Sequence, residues 1–341
     1  MKYRILCSVL ILAHLLSGCA VKTDTPDMQK YQTSYFDLFD TVTTILGYAE
    51  SEEAFLAQAQ ELHDDLAEYH QLYDIYNDYP GMNNIKTVND RAGFSPVEVD
   101  RRIIGLLQLC REFYDVSGQR ENAAMGSVLQ LWHEAREFGT EHPEEAYLPD
   151  RELLQNAAEH TDFDNVIIDE KNLTVFLADP ELCLDVGSVA KGYAVTEVCR
   201  TAPSGYLISI GGNVFVTGPK ASGSPWIVGL TDPDGGADIH SFYVEKGSVV
   251  TSGDYQRFYT ADGENYHHII DPDTLMPGSF WRSVTVFCDD SGIADALSTS
   301  LFLMSKENGE ALLTKYGAEA FWIGADGQEY MTEGLREIQR T

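Results

Sequence analysis

Basic residues are scarce in this chain. It carries 23 Lys and Arg against 54 Asp and Glu, a net charge of −31 over 341 residues. Nucleic-acid binding needs clustered Lys and Arg, so that class is excluded. Electrostatic attraction to an anionic membrane is excluded for the same reason. An anionic substrate would need a locally positive site. The chain has no G-x-G-x-x-G and no P-loop spacing, which argues against Rossmann and Walker nucleotide sites. It has no G-x-S-x-G, which weakens a serine hydrolase. No C-x-x-C pair and no zinc-finger spacing occur, and no repeat of fixed period is present. What remains is a globular composition, 44% apolar, long enough for one large domain or two.

The N-terminus has its own pattern. Lys2 and Arg4 precede the apolar run 5–16, which is too short to span a bilayer and suits a signal peptide. Leu15-Leu16-Ser17-Gly18-Cys19 follows and looks like a bacterial lipobox, with Cys19 as the lipidation site. Loss of Lys2 and Arg4 takes the charge from −31 to −33. Residues 1–19 are therefore expected to be a lipoprotein signal, 20–33 a polar tether and 34–341 the folded domain. An exported, lipid-anchored location follows. Cys110, Cys183, Cys199 and Cys288 sit in apolar contexts and read as buried thiols, although export would permit a disulfide.

Asp185 to Gly192 (DVGSVAKG) is the most informative stretch. The short apolar run 182–186 leads in and a helical pattern, 189–198, leads out, so the stretch reads as a strand-to-helix turn. Two glycines permit close backbone approach, and Lys191 falls in the first helical turn, where N–H groups favour an anion. The stretch suits a phosphate-bearing ligand with a metal, or a plain helix start with a solvated lysine. Earlier in the chain, 35–48 reads as one strand and 54–76, 101–114, 128–137 and 150–160 as helices. Residues 77–89 read as a loop. Later segments are mostly strands, with hairpin signals at Asp262-Gly263 and Asp326-Gly327 and helices at 294–304 and 307–316. Helices early and strands late indicate an α+β fold, with helices mostly in the N-terminal half and a β-rich C-terminal half.

Asp295 and Thr299 lie one helical turn apart, and a carboxylate with a hydroxyl suits Mg²⁺. The same pair also fits a helix cap and a back-bonded threonine. His268, beside Asp271-Pro272, can be a general base or a structural histidine. Gly211-Gly212-Asn213 is a tight turn or a close approach to a ligand.

The order of these segments resembles one family. D-x-G-S-x-A-K-G-Y (185–193), I-G-G-N (210–213), T-S-G-D-Y-x-R (251–257), H-I-I-D-P (268–272) and D-A-L-S-T (295–299) together resemble the ApbE family of FAD:protein FMN transferases, many of them bacterial lipoproteins. The resemblance runs from about Tyr35 to about Gly324. It implies an ApbE-like flavin transferase fold with FAD as substrate in a cleft and Mg²⁺ at the pyrophosphate. FMN would pass to a Thr or Ser hydroxyl of an acceptor, a flavoprotein subunit of a membrane or exported redox system, and AMP would leave. By matched motifs, Ser188, Asp295 and Thr299 would hold the metal and Asp185 and Lys191 would contact FAD. On looser matches Asn89, Asn122, Ala123, Ala124 and Ile269 would line the flavin site, and His268 would be the base. Two departures stand out: Val42-Thr43-Thr44 replaces the usual Met-Gly-Thr, so a methionine contact to the flavin is not expected here. Thr274 is followed by Leu275 instead of Gly, which predicts a turn of different shape. The competing expectations are Mg²⁺-dependent hydrolysis of FAD to FMN and AMP, and a non-catalytic flavin-binding lipoprotein.

Overall fold

A computed structural model describes residues 28–341. The signal stretch, Cys19 and residues 20–27 of the expected tether lie outside the described residues. The remaining tether residues are ordinary sheet: the first strand, Gln29–Leu38, begins within them.

Eight strands form one antiparallel sheet, in the spatial order Gln29–Leu38, Thr41–Ala49, Leu207–Ile210, Asn213–Val216, Gly247–Gly253, Trp281–Cys288, Glu319–Gly324, Glu329–Met331. Spatial order equals chain order, so the sheet is a meander with four long excursions, 50–206, 217–246, 254–280 and 289–318. Alternation along the strands assigns the faces. Val250, Val284, Val286, Ala320 and Trp322 enter the main core under the helices. Val249, Phe287, Phe321 and Ile323 point the other way. There they are covered by the hairpin Trp226–Leu230 with His240–Val244 and by the short helix Glu333–Ile338. A third cluster, with Met125, Trp132, Tyr259 and Ile270, packs the helix Gly126–Glu141 against the hairpin Phe258–Ala261 with Glu264–His267. The α+β reading holds, and the helices do concentrate before residue 200. Among the described residues no helix is long and apolar enough to cross a membrane.

Three local expectations are corrected. The single strand 35–48 is a hairpin, reversed at Phe39 and Asp40, which both adopt left-handed backbone at φ 53° and 50°. A bulky phenylalanine in that conformation carries no turn signal. The loop 77–89 ends in a short helix, Ile85–Asn89, with an Asn84–Thr87 capping box. The run into Asp185 is not a strand. Instead, Asn89 clamps Leu184 with two bonds, donating to its carbonyl (2.9 Å) and accepting from its N–H (2.8 Å).

The helices Ala190–Cys199 and Ser291–Phe302 cross at Gly192. Asp290, not Asp295, caps the second helix by accepting from Ile293 N at 3.0 Å. Thr196 Oγ1 ties the pair together, accepting from Ser291 N (2.8 Å) and donating to Asp290 (3.2 Å). A Cβ on Gly192 would collide with the Ser291 carbonyl and stand 2.7 Å from Asp295 Cβ. Gly192→Ala is therefore expected to lose about 1–3 kcal/mol of stability by overpacking. Calorimetry reads this as a lower Tm, and an unchanged Tm would mean that the helices separate freely.

Candidate active site

The helix crossing places the end of each motif around one cleft of about 1340 Å³. That exceeds the range of about 300–1,000 Å³ typical of small-ligand pockets. Its lining includes Asn122, Asp185, Ser188, Lys191, His268, Ile269, Asp295 and Thr299. Eight of the eleven expected site residues inside the described chain are thus brought together.

The other three do not line the cleft. Ala123 and Ala124 are buried, and the Ala123 carbonyl accepts from Asp185 N at 2.8 Å. Asn89 acts one layer behind, through its clamp on Leu184. These residues shape the loop that presents Asp185. Asn122 reaches the cleft wall with both ends of its amide engaged, donating to Thr161 O and accepting from Ala124 N, each at 2.9 Å.

At one pole of the cleft oxygen atoms converge. Asp295 is 5% exposed. Its Oδ2 accepts from Gly192 N at 2.9 Å and lies 3.9 Å from Lys191 Nζ. Burial raises its carboxyl above the usual range, against the lowering by Lys191, the Gly192 N–H and Asn213. Asn213 is itself 4% exposed, and its Nδ2 is buried with no hydrogen-bonded partner, although the amide lies close enough to lower the Asp295 pKa. The turn before it, Gly211-Gly212, has φ 56° and 94°, the pairing a two-residue type I′ hairpin requires. Lys191 Nζ also donates to Gly187 O at 2.9 Å, which folds it back over its own loop. Asp185 Oδ1 accepts from Gly187 N at 2.9 Å, which closes that loop.

A residue that the sequence did not single out completes this pole. Glu121 is 1% exposed and accepts from Ser188 Oγ at 2.5 Å. Burial pushes its pKa up to about 8; Asp295 and Asp185 add to this, while the Ser188 hydroxyl and Lys191 oppose it. Two buried carboxyls and a nearby third are thus offset by one lysine. Such a site lacks positive charge, and its donors are all oxygen: Asp295, Ser188 and Thr299. Both features fit a hard divalent cation such as Mg²⁺. Among the described residues no group of three or more His, Cys, Asp or Glu is arranged as a metal centre, so any cation here relies on hydroxyl oxygens as well.

The cleft also carries cationic groups. Arg136 and Arg257 both line the cleft, and neither forms an ion pair within 4 Å among the described residues. Arg136 Nη2 contacts His133 Nδ1 at 2.7 Å. Burial and the Arg257 charge lower the Arg136 pKa. His268 lines the same cleft, and its Nδ1 is 3.2 Å from the Arg257 carbonyl. The ring keeps some contact with the cleft solvent yet is densely surrounded by protein. Burial first, then Arg257 and Arg136, push its pKa down to about 3, which leaves the imidazole neutral at neutral pH. Leu275 adopts φ 60°, so the turn after Asp271-Pro272 carries a left-handed residue at the departure although no glycine stands there. Leu275 also accepts from Trp132 Nε1 at 3.0 Å, an anchor for that strained turn. At the other departure, Thr43 is fully buried and its hydroxyl has no partner.

An antiparallel meander whose excursions close a cleft lined by buried carboxyls, hydroxyls, arginines and a histidine defines an α+β protein with a ligand-sized site. The ApbE family model matches residues 39–322, and the chain belongs to the ApbE family. It is 34% identical over 272 residues to the FAD:protein FMN transferase of Treponema pallidum, covering 74% of this chain and 73% of that protein. It is also 34% identical over 254 residues to an FAD:protein FMN transferase of Klebsiella pneumoniae, covering 71% and 76%. The crystal structure of the ApbE protein from Thermotoga maritima superposes with a TM-score of 0.81 at 28% identity, covering 92% of this chain and all of that one.

Proposed function

We propose that this chain is an FAD:protein FMN transferase that works with Mg²⁺ on acceptors outside the cytoplasm. Its relatives carry that activity in their names, and the family match spans most of the chain. The observation that carries the site assignment is the meeting of Asp295, Ser188 and Thr299 with Lys191 in one cleft that also holds His268. The acceptor hydroxyl of a Thr or Ser attacks the FMN-side phosphorus of FAD. A new P–O bond forms, the bond to the bridging oxygen breaks, and AMP leaves with the electron pair. His268, kept neutral by burial and the neighbouring arginines, takes the hydroxyl proton. Lys191 at the helix start binds and orients pyrophosphate oxygens, supported by backbone N–H groups. The unpartnered Asn213 Nδ2 offers one more donor to an anionic ligand. Mg²⁺, held by Asp295, Ser188 and Thr299, would offset the pyrophosphate charge and stabilise charge developing on the leaving group. The lipobox at Cys19 supports export and lipid anchoring, with the acceptor a flavoprotein subunit of a membrane or exported redox system.

The deciding experiment incubates protein lacking residues 1–19 with FAD and Mg²⁺, with and without a Thr-bearing acceptor domain, and follows AMP and acceptor mass. FMN on the acceptor with one AMP per transfer establishes the activity. AMP and free FMN regardless of acceptor would identify a pyrophosphatase, and intact bound FAD would identify a binding protein.

A further inference from the structure

Ser188 is expected to be a cation ligand, yet a serine hydroxyl is a weak and rotatable one. Its lone pairs face a cation only if its proton is drawn elsewhere. In this structure the proton goes to Glu121, whose Oε1 accepts from Ser188 Oγ at 2.5 Å. Glu121 comes from a distant segment, 67 residues earlier, and is 1% exposed. Its own N–H is held by Ser117 Oγ at 2.9 Å, so the residue is fixed where the helix Arg101–Val116 has just ended. No Lys, Arg or His lies within 4 Å of its carboxylate among the described residues. A buried carboxylate without such a partner is costly.

We infer that Glu121 is a positioning residue for the divalent cation: by accepting from Ser188 Oγ it draws the hydroxyl proton away and turns the Ser188 lone pairs towards the ion. The inference rests on the assignment of Ser188, Asp295 and Thr299 as cation donors. Carboxylates behind a metal ligand orient it and raise its basicity, and their loss typically weakens metal binding 10–100-fold. Neither Lys191 nor Asp185 can substitute. Lys191 is turned onto Gly187 O and Asp295, and Asp185 Oδ1 is engaged by Gly187 N.

The test measures Mn²⁺ binding to the purified protein without FAD, by electron paramagnetic resonance, together with Tm in the absence and presence of Mn²⁺. In Glu121→Leu nothing accepts from Ser188, whereas in Glu121→Gln the amide oxygen still can. The Mn²⁺ Kd is therefore expected to rise roughly 10–100-fold in Glu121→Leu, with the metal-free Tm held, and to stay within a few-fold of wild type in Glu121→Gln. Ser188→Ala is expected to weaken binding as well, and Glu121→Leu combined with Ser188→Ala to be no weaker than Ser188→Ala alone, because Glu121 acts through that hydroxyl. Wild-type Mn²⁺ affinity in Glu121→Leu, with binding lost in Asp295→Asn, would overturn the role of Glu121 and leave the cation site standing. An additive double variant would also overturn it. No Mn²⁺ binding by the wild type would overturn the inference and the cation assignment together.

Discussion

Asp295→Asn is expected to lower FMN transfer roughly 10²–10³-fold, the loss of several kcal/mol of transition-state stabilisation at about 1.4 kcal/mol per decade. The fold should survive. Asn is isosteric, and its side-chain oxygen can keep the bond from Gly192 N now seen at 2.9 Å. The buried carboxyl is raised in pKa by its surroundings, so removing its charge relieves a desolvation cost. A functional loss with little thermal change separates a ligand from a scaffold residue. The measurement is AMP release at saturating FAD beside a thermal unfolding curve. Chelation of the wild type should produce a loss of similar size, and chelating the variant should add little, because both act on one site. Transfer within tenfold of wild type in Asp295→Asn would sink the cation assignment.

How far the site was legible in the sequence can be traced residue by residue. Asp295 and Thr299 are one turn apart on a helix, and Lys191 follows a glycine loop, so local spacing alone places them on shared faces. The sheet was legible for the same reason: Val284, Val286 and Phe287 alternate between two cores as period-two residues must. Glu121 was not legible. Its partner Ser188 is 67 positions away, and nothing in E-N-A-A-M-G-S distinguishes a buried acid from a solvated one. Asn89 was read as lining the flavin site, whereas it works through Leu184, 95 positions away. The reversal at Phe39 and Asp40 escaped because a left-handed phenylalanine is unusual and Asp40 has no glycine beside it to signal a two-residue turn. Local periodicity thus exposes the helices and strands, while burial created by chain crossings stays hidden until the crossings are known.

His268→Ala is expected to cut transfer to the acceptor by roughly 10²–10⁴-fold, the usual contribution of a positioned base, with FAD and Mn²⁺ binding kept. Its pH behaviour provides a sharper test. Burial and the charges of Arg257 and Arg136 hold the free imidazole at about 3, so kcat/KM should show no acid limb near the ordinary histidine value of 6.5. Bound FAD brings pyrophosphate charge into the cleft and favours the imidazolium. The acid limb of kcat, which reports the bound enzyme, should therefore lie at higher pH than that of kcat/KM. Coincident limbs near 6.5 would show that His268 is solvated like any surface histidine. Stability supplies the matching sign. Between pH 6.5 and about 3 the unfolded chain binds a proton at this position that the folded chain refuses, so wild-type stability falls as pH falls through that window. His268→Ala has no such group and should lose less stability over the same range. A variant that instead tracks the wild type in acid would remove the physical basis for a neutral base, whatever its kinetic defect.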